Sequence, residues 1–427
     1  MMKYIIEGGN PLVGTIRIQS AKNACLPIIA ATILTKGKTI LRNVPKISDI
    51  DNLLFILSGL GCRVQWKDGD LYIDTTNISY NEIDAEVAKK IRGSIFVLGC
   101  LVARFKQARL PYPGGCAIGA RPIDIHVEGF KKIGIKVREA RDYIDCSAKR
   151  IKGGVVYLDF PSVGATENII MAAALGNTTT TIINAAKEPE VTDLVRFLRS
   201  CGACINGEGT DTITVAGVKE LQGVDYIPIP DRINTASYML AVATVGGNVV
   251  LENVIAEHNA NLIEKLKADG CKIETKNNNL QIIKDKNQIT RKRNTSMQTS
   301  PYPGFSTDIQ NQYMVYRSTV SGLTTITENL FENRYSIVPQ LQKLGATICV
   351  KNRVATVTGG SELTGGTCEN PMIVIPNDLR GGVGLVIAAL ASRGVTIVER
   401  ADLVKRGHES IERDLGNLGA NIILKVQ

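Results

Sequence analysis

Six stretches of this chain space apolar residues as on one face of a helix, end on a glycine and run at once into a β-rich segment. They are LLFILSGLGCRVQW, VEGFKKIGIKV, LVRFLRSCGACI, LIEKLKADGCKI, VPQLQKLGATICV and IERDLGNLGANIIL. The glycines are Gly61, Gly134, Gly202, Gly270, Gly345 and Gly419, at intervals of 73, 68, 68, 75 and 74 residues. The pattern predicts a helix closed by a left-handed glycine, which has no Cβ to clash, and then a strand. Upstream of the copies stand strands that end in a polar turn: TILRNV, TTIINA, VVLENV, TTITEN and TIVERA. Alanine-rich apolar helices precede most of these, such as ACLPIIAATILTKG and LVIAALASRG. Each unit reads helix, strand, helix, strand, strand, which predicts an α/β architecture of repeats.

The sixth copy stops at Gln427 without the second strand of its hairpin. The start of the chain, YIIEGGNPLVGTIRIQS, carries the strand–glycine–leucine–glycine–strand pattern found in ITVAGVKELQGVDYIPIP. Residues 1–21 are therefore expected to complete the sixth unit. This gives two domains of three repeats, 22–229 and 1–21 plus 230–427, joined by crossings near 21 and 230. A ligand cleft between them, and closure around it, are the corresponding expectations.

Composition narrows the class of protein. With 427 residues, 44% hydrophobic and 21% charged, the chain reads as a soluble globular protein with an aliphatic core, aromatics being only 5%. No window approaches the ~20 apolar residues of a membrane span, and the first residues lack a signal-peptide pattern, so a cytoplasmic location is expected. Ten cysteines are scattered, and the one C-x-x-C pair, Cys201 and Cys204, falls at a helix end, away from the N-terminal position that stabilises a redox thiolate. Three distant histidines give no metal motif, and no metal or cofactor is expected. The net charge of +9 suits phosphate-rich ligands as well as nucleic acid. The densest basic run, Arg291-Lys292-Arg293, has no aromatic neighbours and reads as a solvated loop, so no nucleic-acid partner is expected.

Several repeat helices begin with charged or polar residues: Lys22-Asn23, Arg92, Asp231-Arg232, Asp308 and Asp378-Leu379-Arg380. Helix N-termini favour anions, and basic side chains there build a phosphate or carboxylate site; capping by aspartate explains the same pattern without a ligand. The second unit alone carries a proline- and glycine-rich insertion, 110–122, which reads as a loop. Cys116 is the cysteine expected to be exposed there, with Arg121 near enough in sequence to activate it; reactive and inert thiols both fit this pattern.

The segment GGCAIGARPIDIH (114–126) resembles the catalytic loop of the UDP-N-acetylglucosamine 1-carboxyvinyltransferases, an enolpyruvyl transferase family of peptidoglycan synthesis. Ordered matches run along the chain: SAKNACLPI, IRGSIFVLGCLVARF, DFPSVGATENI, NAAKEPEVTDL, PDRINTASY, STDIQNQY, ENLFENRY, NDLRG and KRGHESIERDLGNLGA. The resemblance implies two inside-out α/β barrels of three repeats each. It also implies transfer of the carboxyvinyl group of phosphoenolpyruvate to the sugar 3-hydroxyl through a tetrahedral intermediate, without metal. By the same resemblance Lys22, Arg121 and Arg406 hold the phosphate and carboxylate of phosphoenolpyruvate, and Arg92 neutralises charge nearby. Cys116, on a closing loop at about 111–122, protonates C3 or assists turnover, and is the thiol alkylated by fosfomycin. Asp308 accepts the hydroxyl proton, and Asn23 contacts the sugar. Arg121 and Pro122 sandwich the uracil, Asp124 takes a pyrimidine N–H, and Ser162, Val163 and Gly164 meet the diphosphate. Ile123, Ile125 and Leu330 are further substrate positions, and Glu188, Asp378 and Arg380 are supporting residues. A monomer or weak homo-oligomer is expected.

The chain departs from what the family commonly shows. Ser20 stands for glycine, Asn234 for glutamate, Ser306 for proline, Gly381-Gly382 for alanine or serine, Lys405 for an acid and His408 for tyrosine. The main groups, Lys22, Cys116, Arg121, Asp308 and Arg406, are present, so the expectation is a divergent but active enzyme. A paralogue acting on another uridine nucleotide and a non-catalytic UDP-sugar binding protein are the alternatives. The shikimate-pathway relative is disfavoured because it has no equivalent of the GGC loop.

Overall fold

The computed structural model describes residues 2–114, 118–119, 122–176, 178–285 and 293–426. The chain forms two compact units: Ser20–Gly115 with Arg121–Ile229, and Met1–Gln19 with Cys116–Ala120 and Pro230–Gln427.

In the unit built on residues 20–229, the inner helices are Lys22–Ala31, Phe96–Phe105 and Val163–Ala174. The middle one packs against both others. They are apolar nearly all round: every residue from Ala24 to Ala31, Val97 to Ala103 and Ala165 to Ala174 is buried. A helix apolar on all faces has to sit inside, and each buried aliphatic side chain contributes about 1.5–3 kcal/mol. Sheets cover them. Thr179–Ile183 pairs in parallel with Gly154–Tyr157 and antiparallel with Thr212–Ala216, which pairs with Cys204–Asn206. The first repeat has the same order, its parallel neighbour being Asp225–Tyr226 from the end of the unit, so the third repeat closes on the first.

The other unit repeats the plan. Its inner helices are Arg232–Val245, Gln310–Thr319 and Leu379–Ala391, each in contact with the other two. Three four-stranded sheets surround them. Strand residues alternate between a buried inner face and an open outer face, which leaves Val13, Val155, Tyr157 and Ile423 exposed. Helices inside and sheets outside make each unit an inside-out α/β fold.

The N-terminal strands serve two different repeats. Met2–Glu7 lies between Val395–Glu399 and Asn421–Val426, antiparallel to both, and supplies the hairpin strand that the sixth repeat lacks. Leu12–Arg17 instead pairs in parallel with Gly247–Glu252 in the sheet of the fourth repeat. The assignment of all of residues 1–21 to the sixth repeat is thus corrected. The turn at Gly8 to Pro11 breaks the strand, and the second half finds its partner in the next sheet.

All six repeat glycines have positive φ, from 83° at Gly134 to 105° at Gly202. In each case the following amide bonds to the carbonyl five residues back, as in Cys62 N to Leu57 O at 3.1 Å and Ala420 N to Leu415 O at 3.0 Å. This is the Schellman closure, and it turns every outer helix directly into a strand.

Candidate active site

In the unit of residues 20–229, Lys22 and Asn23 open the first inner helix, and the Lys22 ammonium lies 3.1 Å from Oδ2 of Asp49. Asp49 stands in the first turn of the helix Ser48–Gly59 and is itself buried, so it holds the lysine at the start of its own helix. Arg92 begins the 3-10 turn Arg92–Ile95. Ser162 caps the inner helix Val163–Ala174 by accepting from Ala165 N at 3.3 Å, and Val163 and Gly164 form the first turn. Pro122 and Asp124 are exposed and Ile123 is buried at the start of the helix Asp124–Lys132, with Ile125 partly buried.

Two of the expected substrate segments are brought together here. A Cβ on Gly164 would lie 3.2 Å from the ring of His126, and Asn168 reaches His126 Nδ1 at 3.3 Å. The helix start at Ser162 to Gly164 therefore abuts the one at Pro122 to Ile125. Just behind, the fully buried Glu167 has no hydrogen bond to either carboxylate oxygen among the described residues. Burial, with Glu190 and Glu188 nearby, raises its pKa well above the ordinary carboxylate range. Glu188 itself immediately precedes the helix Pro189–Ser200. Cys201 lies at the C-terminal end of that helix, where burial pushes its thiol up to about 12, the opposite of redox activation.

In the other unit, Asp308 lies in the 3-10 turn Thr307–Ile309, leading into an inner helix. Arg334 donates to its Oδ1 at 2.8 Å and Arg380 to its Oδ2 at 2.8 Å, and the carboxylate keeps 26% of its side-chain surface open. Arg334 also lies 3.5 Å from Asp378 and donates from Nε to the Thr307 hydroxyl at 3.0 Å. Thr307 in turn donates to Glu328, a buried carboxylate that also accepts from Thr299 and from the amides of Leu330 and Phe331. Asp378 caps the helix Leu379–Ala391 through the amides of Arg380 and Gly381. Burial alone would lower the Arg380 pKa, but the carboxylates of Asp308, Asp231 and Asp378 raise it. A charge pair this enclosed stands only because each charge has hydrogen-bonded partners. Asp231 does cap its helix, accepting from Ile233 N and Asn234 N, so the capping explanation and the charged cluster hold together.

Cys116 and Arg121 lie outside the described residues. Two described residues of their loop belong to this same unit: Ile118 O accepts from Asn333 N at 2.9 Å, and a Cβ on Gly119 would run into the Glu332 side chain. Ile118 and Gly119 thus rest on the turn directly before Arg334. Arg406 is partly buried in the turn after the short helix Ala401–Val404.

Sequence reasoning passed over Arg334, Asp49, Thr307 and Glu328. Arg334 lay inside ENLFENRY and Asp49 sat as an acid in a helix's first turn, but nothing local marks either as a partner of a distant side chain.

A family model described as EPSP synthase (3-phosphoshikimate 1-carboxyvinyltransferase) matches residues 6–415. The chain is 43% identical to UDP-N-acetylglucosamine 1-carboxyvinyltransferase 2 of Caldanaerobacter subterraneus subsp. tengcongensis, over 99% of each chain. It is 44% identical to the protein of the same name from Carboxydothermus hydrogenoformans, again over 99% of each. Among solved structures, the enolpyruvyl transferase NikO from Streptomyces tendae superposes with a TM-score of 0.88 at 22% identity, covering 100% of this chain and 99% of that one. EPSP synthase from Acinetobacter baumannii gives 0.77 at 16% identity with full coverage of both. The structural likenesses carry the fold, and the full-length identities carry the family: this chain belongs to the UDP-N-acetylglucosamine 1-carboxyvinyltransferases, within the enolpyruvyl transferases.

Proposed function

We propose that this chain transfers the enolpyruvyl group of phosphoenolpyruvate to the 3-hydroxyl of UDP-N-acetylglucosamine and releases phosphate. The observation that supports this most is Asp308, a partly open carboxylate fixed by two arginines, in a chain 43–44% identical to relatives named for this transfer. A general base must be oriented and still reachable by its proton donor. Arg334 and Arg380 supply the orientation, and the open 26% of Asp308 leaves room for a hydroxyl.

In the proposed reaction the 3-hydroxyl oxygen attacks C2 of phosphoenolpyruvate and its proton passes to Asp308. C3 gains a proton, with the Cys116 thiol as donor, to give a tetrahedral intermediate. Loss of a proton from C3 then restores the double bond as the C2–O bond to phosphate breaks. Lys22, Arg92, Arg121 and Arg406 are the cations proposed for the phosphate and carboxylate, where fixed positive charge stabilises what develops in the transition state, and Arg380 supports them through Asp308. Asn23 is assigned to the sugar, Pro122 to Ile125 and Leu330 to the nucleotide, and Ser162 to Gly164 to the diphosphate, at a helix start, whose dipole favours an anion. Glu188 and Asp378 are assigned supporting roles.

The test is phosphate release from phosphoenolpyruvate with and without UDP-N-acetylglucosamine, for the native chain and Asp308→Ala. Sugar-dependent release that Asp308→Ala abolishes is the expected result. Tight UDP-N-acetylglucosamine binding with no release would leave a binding protein in place of an enzyme.

A further inference from the structure

Gln19, the last residue of its segment before the chain passes to Ser20 and the other unit, holds the loop that carries Arg406. Its Nε2 donates to Gly407 O at 3.2 Å and its Oε1 accepts from Glu409 N at 3.2 Å. One partner is an acceptor and the other a donor, so the carboxamide has a single orientation that satisfies both. Asn234, 1% exposed, donates a second hydrogen bond to Gly407 O at 3.3 Å. The loop is fixed on its remaining sides as well. Lys405 reaches Glu409 O at 3.1 Å and Glu412 at 3.4 Å across the turn. His408 is buried edge-on against Tyr238, 6.0 Å between centroids, and Tyr238 donates to Asp414 at 2.8 Å. Gly407 is packed so closely that a Cβ there would lie 2.8 Å from Leu379, the residue between Asp378 and Arg380. The Gln19 main chain is occupied too, its carbonyl accepting from Asp231 N at 2.9 Å.

We infer that Gln19, seconded by Asn234, is a positioning residue for Arg406: an amide clamp on the Gly407 carbonyl that sets the direction of the guanidinium and hence the affinity for the phosphoenolpyruvate anion. Arg406 has a long flexible side chain, and each rotation left free at its base lowers its effective concentration at the anion. Removing the clamp leaves the charge in place and loosens only its support. The inference rests on the reading of Arg406 as a phosphoenolpyruvate ligand.

Steady-state kinetics of the full chain with phosphoenolpyruvate and UDP-N-acetylglucosamine test it, on Gln19→Leu, Gln19→Glu, Arg406→Lys and the Gln19→Leu/Arg406→Lys pair. Gln19→Leu is expected to raise KM for phosphoenolpyruvate about tenfold, the scale of a lost hydrogen-bond pair, and to leave KM for UDP-N-acetylglucosamine within about twofold. In the Arg406→Lys background its effect shrinks, because the two changes act through one interaction. Gln19→Glu keeps the acceptor for Glu409 N but sets a carboxylate oxygen against Gly407 O, and is expected to raise KM for phosphoenolpyruvate at least as far as Gln19→Leu. An equal rise in both KM values, or an undiminished effect in the Arg406→Lys background, overturns the clamp. Silent Gln19→Leu beside a large Arg406→Lys effect overturns the clamp alone, whereas an unaltered phosphoenolpyruvate KM in Arg406→Lys removes the ligand role of Arg406 and the clamp with it. Should Gln19→Leu unfold, Gln19→Glu carries the test with the same readouts.

Discussion

The guanidinium of Arg334, 1% exposed, meets Oδ1 of Asp308 at 2.8 Å and lies 3.5 Å from Asp378. One arginine thus fixes both the proposed base and the cap of the helix that presents Arg380. Arg334→Met would take from Asp308 one of its two arginines and from Asp378, 2% exposed, a facing cation, leaving Asp308 to Arg380 and Asp378 to the amides of Arg380 and Gly381. The expected outcome is a loss of about 3–5 kcal/mol in unfolding free energy, the scale for breaking one side of a buried ion pair, read by urea denaturation. Arg334→Lys keeps the charge but not the fork that serves Thr307 and Asp308 at once, so it recovers only part of that stability.

Asp308→Asn keeps the shape of the side chain and removes its capacity to take a proton. It should lower kcat about 10²- to 10⁴-fold, the usual worth of a general base, while calorimetry still finds UDP-N-acetylglucosamine bound. A kcat within about threefold of native would exclude Asp308 as the base.

Ser162 makes one long cap bond, 3.3 Å to Ala165 N, so its structural worth is small. Ser162→Ala should cost about 0.5–1 kcal/mol of stability. Its larger effect is expected in KM for UDP-N-acetylglucosamine, with KM for phosphoenolpyruvate unmoved. Parallel changes in the two constants would argue for capping alone.

Asp193 gives a pH signature independent of the reaction. Burial raises its pKa from 3.8 to about 6, against the hydrogen bonds it accepts from Tyr226 OH at 2.6 Å and Ile229 N at 3.0 Å. The folded state therefore holds this proton over a pH range in which the unfolded state has lost it. Between about pH 4 and pH 6 the native form binds more protons, so this group's contribution to stability falls as pH rises, by up to about 3 kcal/mol. Asp193→Asn should flatten that slope in urea midpoints taken from pH 4 to pH 7. An unchanged slope would remove Asp193 as its source.

The repeat pattern, the outer-helix closures and the inner apolar helices are local properties, and they were legible in the chain. A glycine after an amphipathic run has one low-energy way to stop a helix, and Gly61 to Gly419 all use it. The places of the candidate site residues were legible for a similar reason: Lys22, Ser162, Asp308 and Arg380 each sit at a helix start, a position written into a few adjacent residues. The split of the N-terminal strands between two sheets was not legible, because strand pairing is a choice between distant partners. Nor were the side-chain bonds within the proposed site. Lys22 with Asp49, Asp308 with Arg334 and Gln19 with Gly407 join residues 27, 26 and 388 positions apart. Sequence alone determined the units and where charge could be presented. Only the tertiary structure decided which charges face each other, because that depends on how the inner helices pack and which side chains their packing closes off from water.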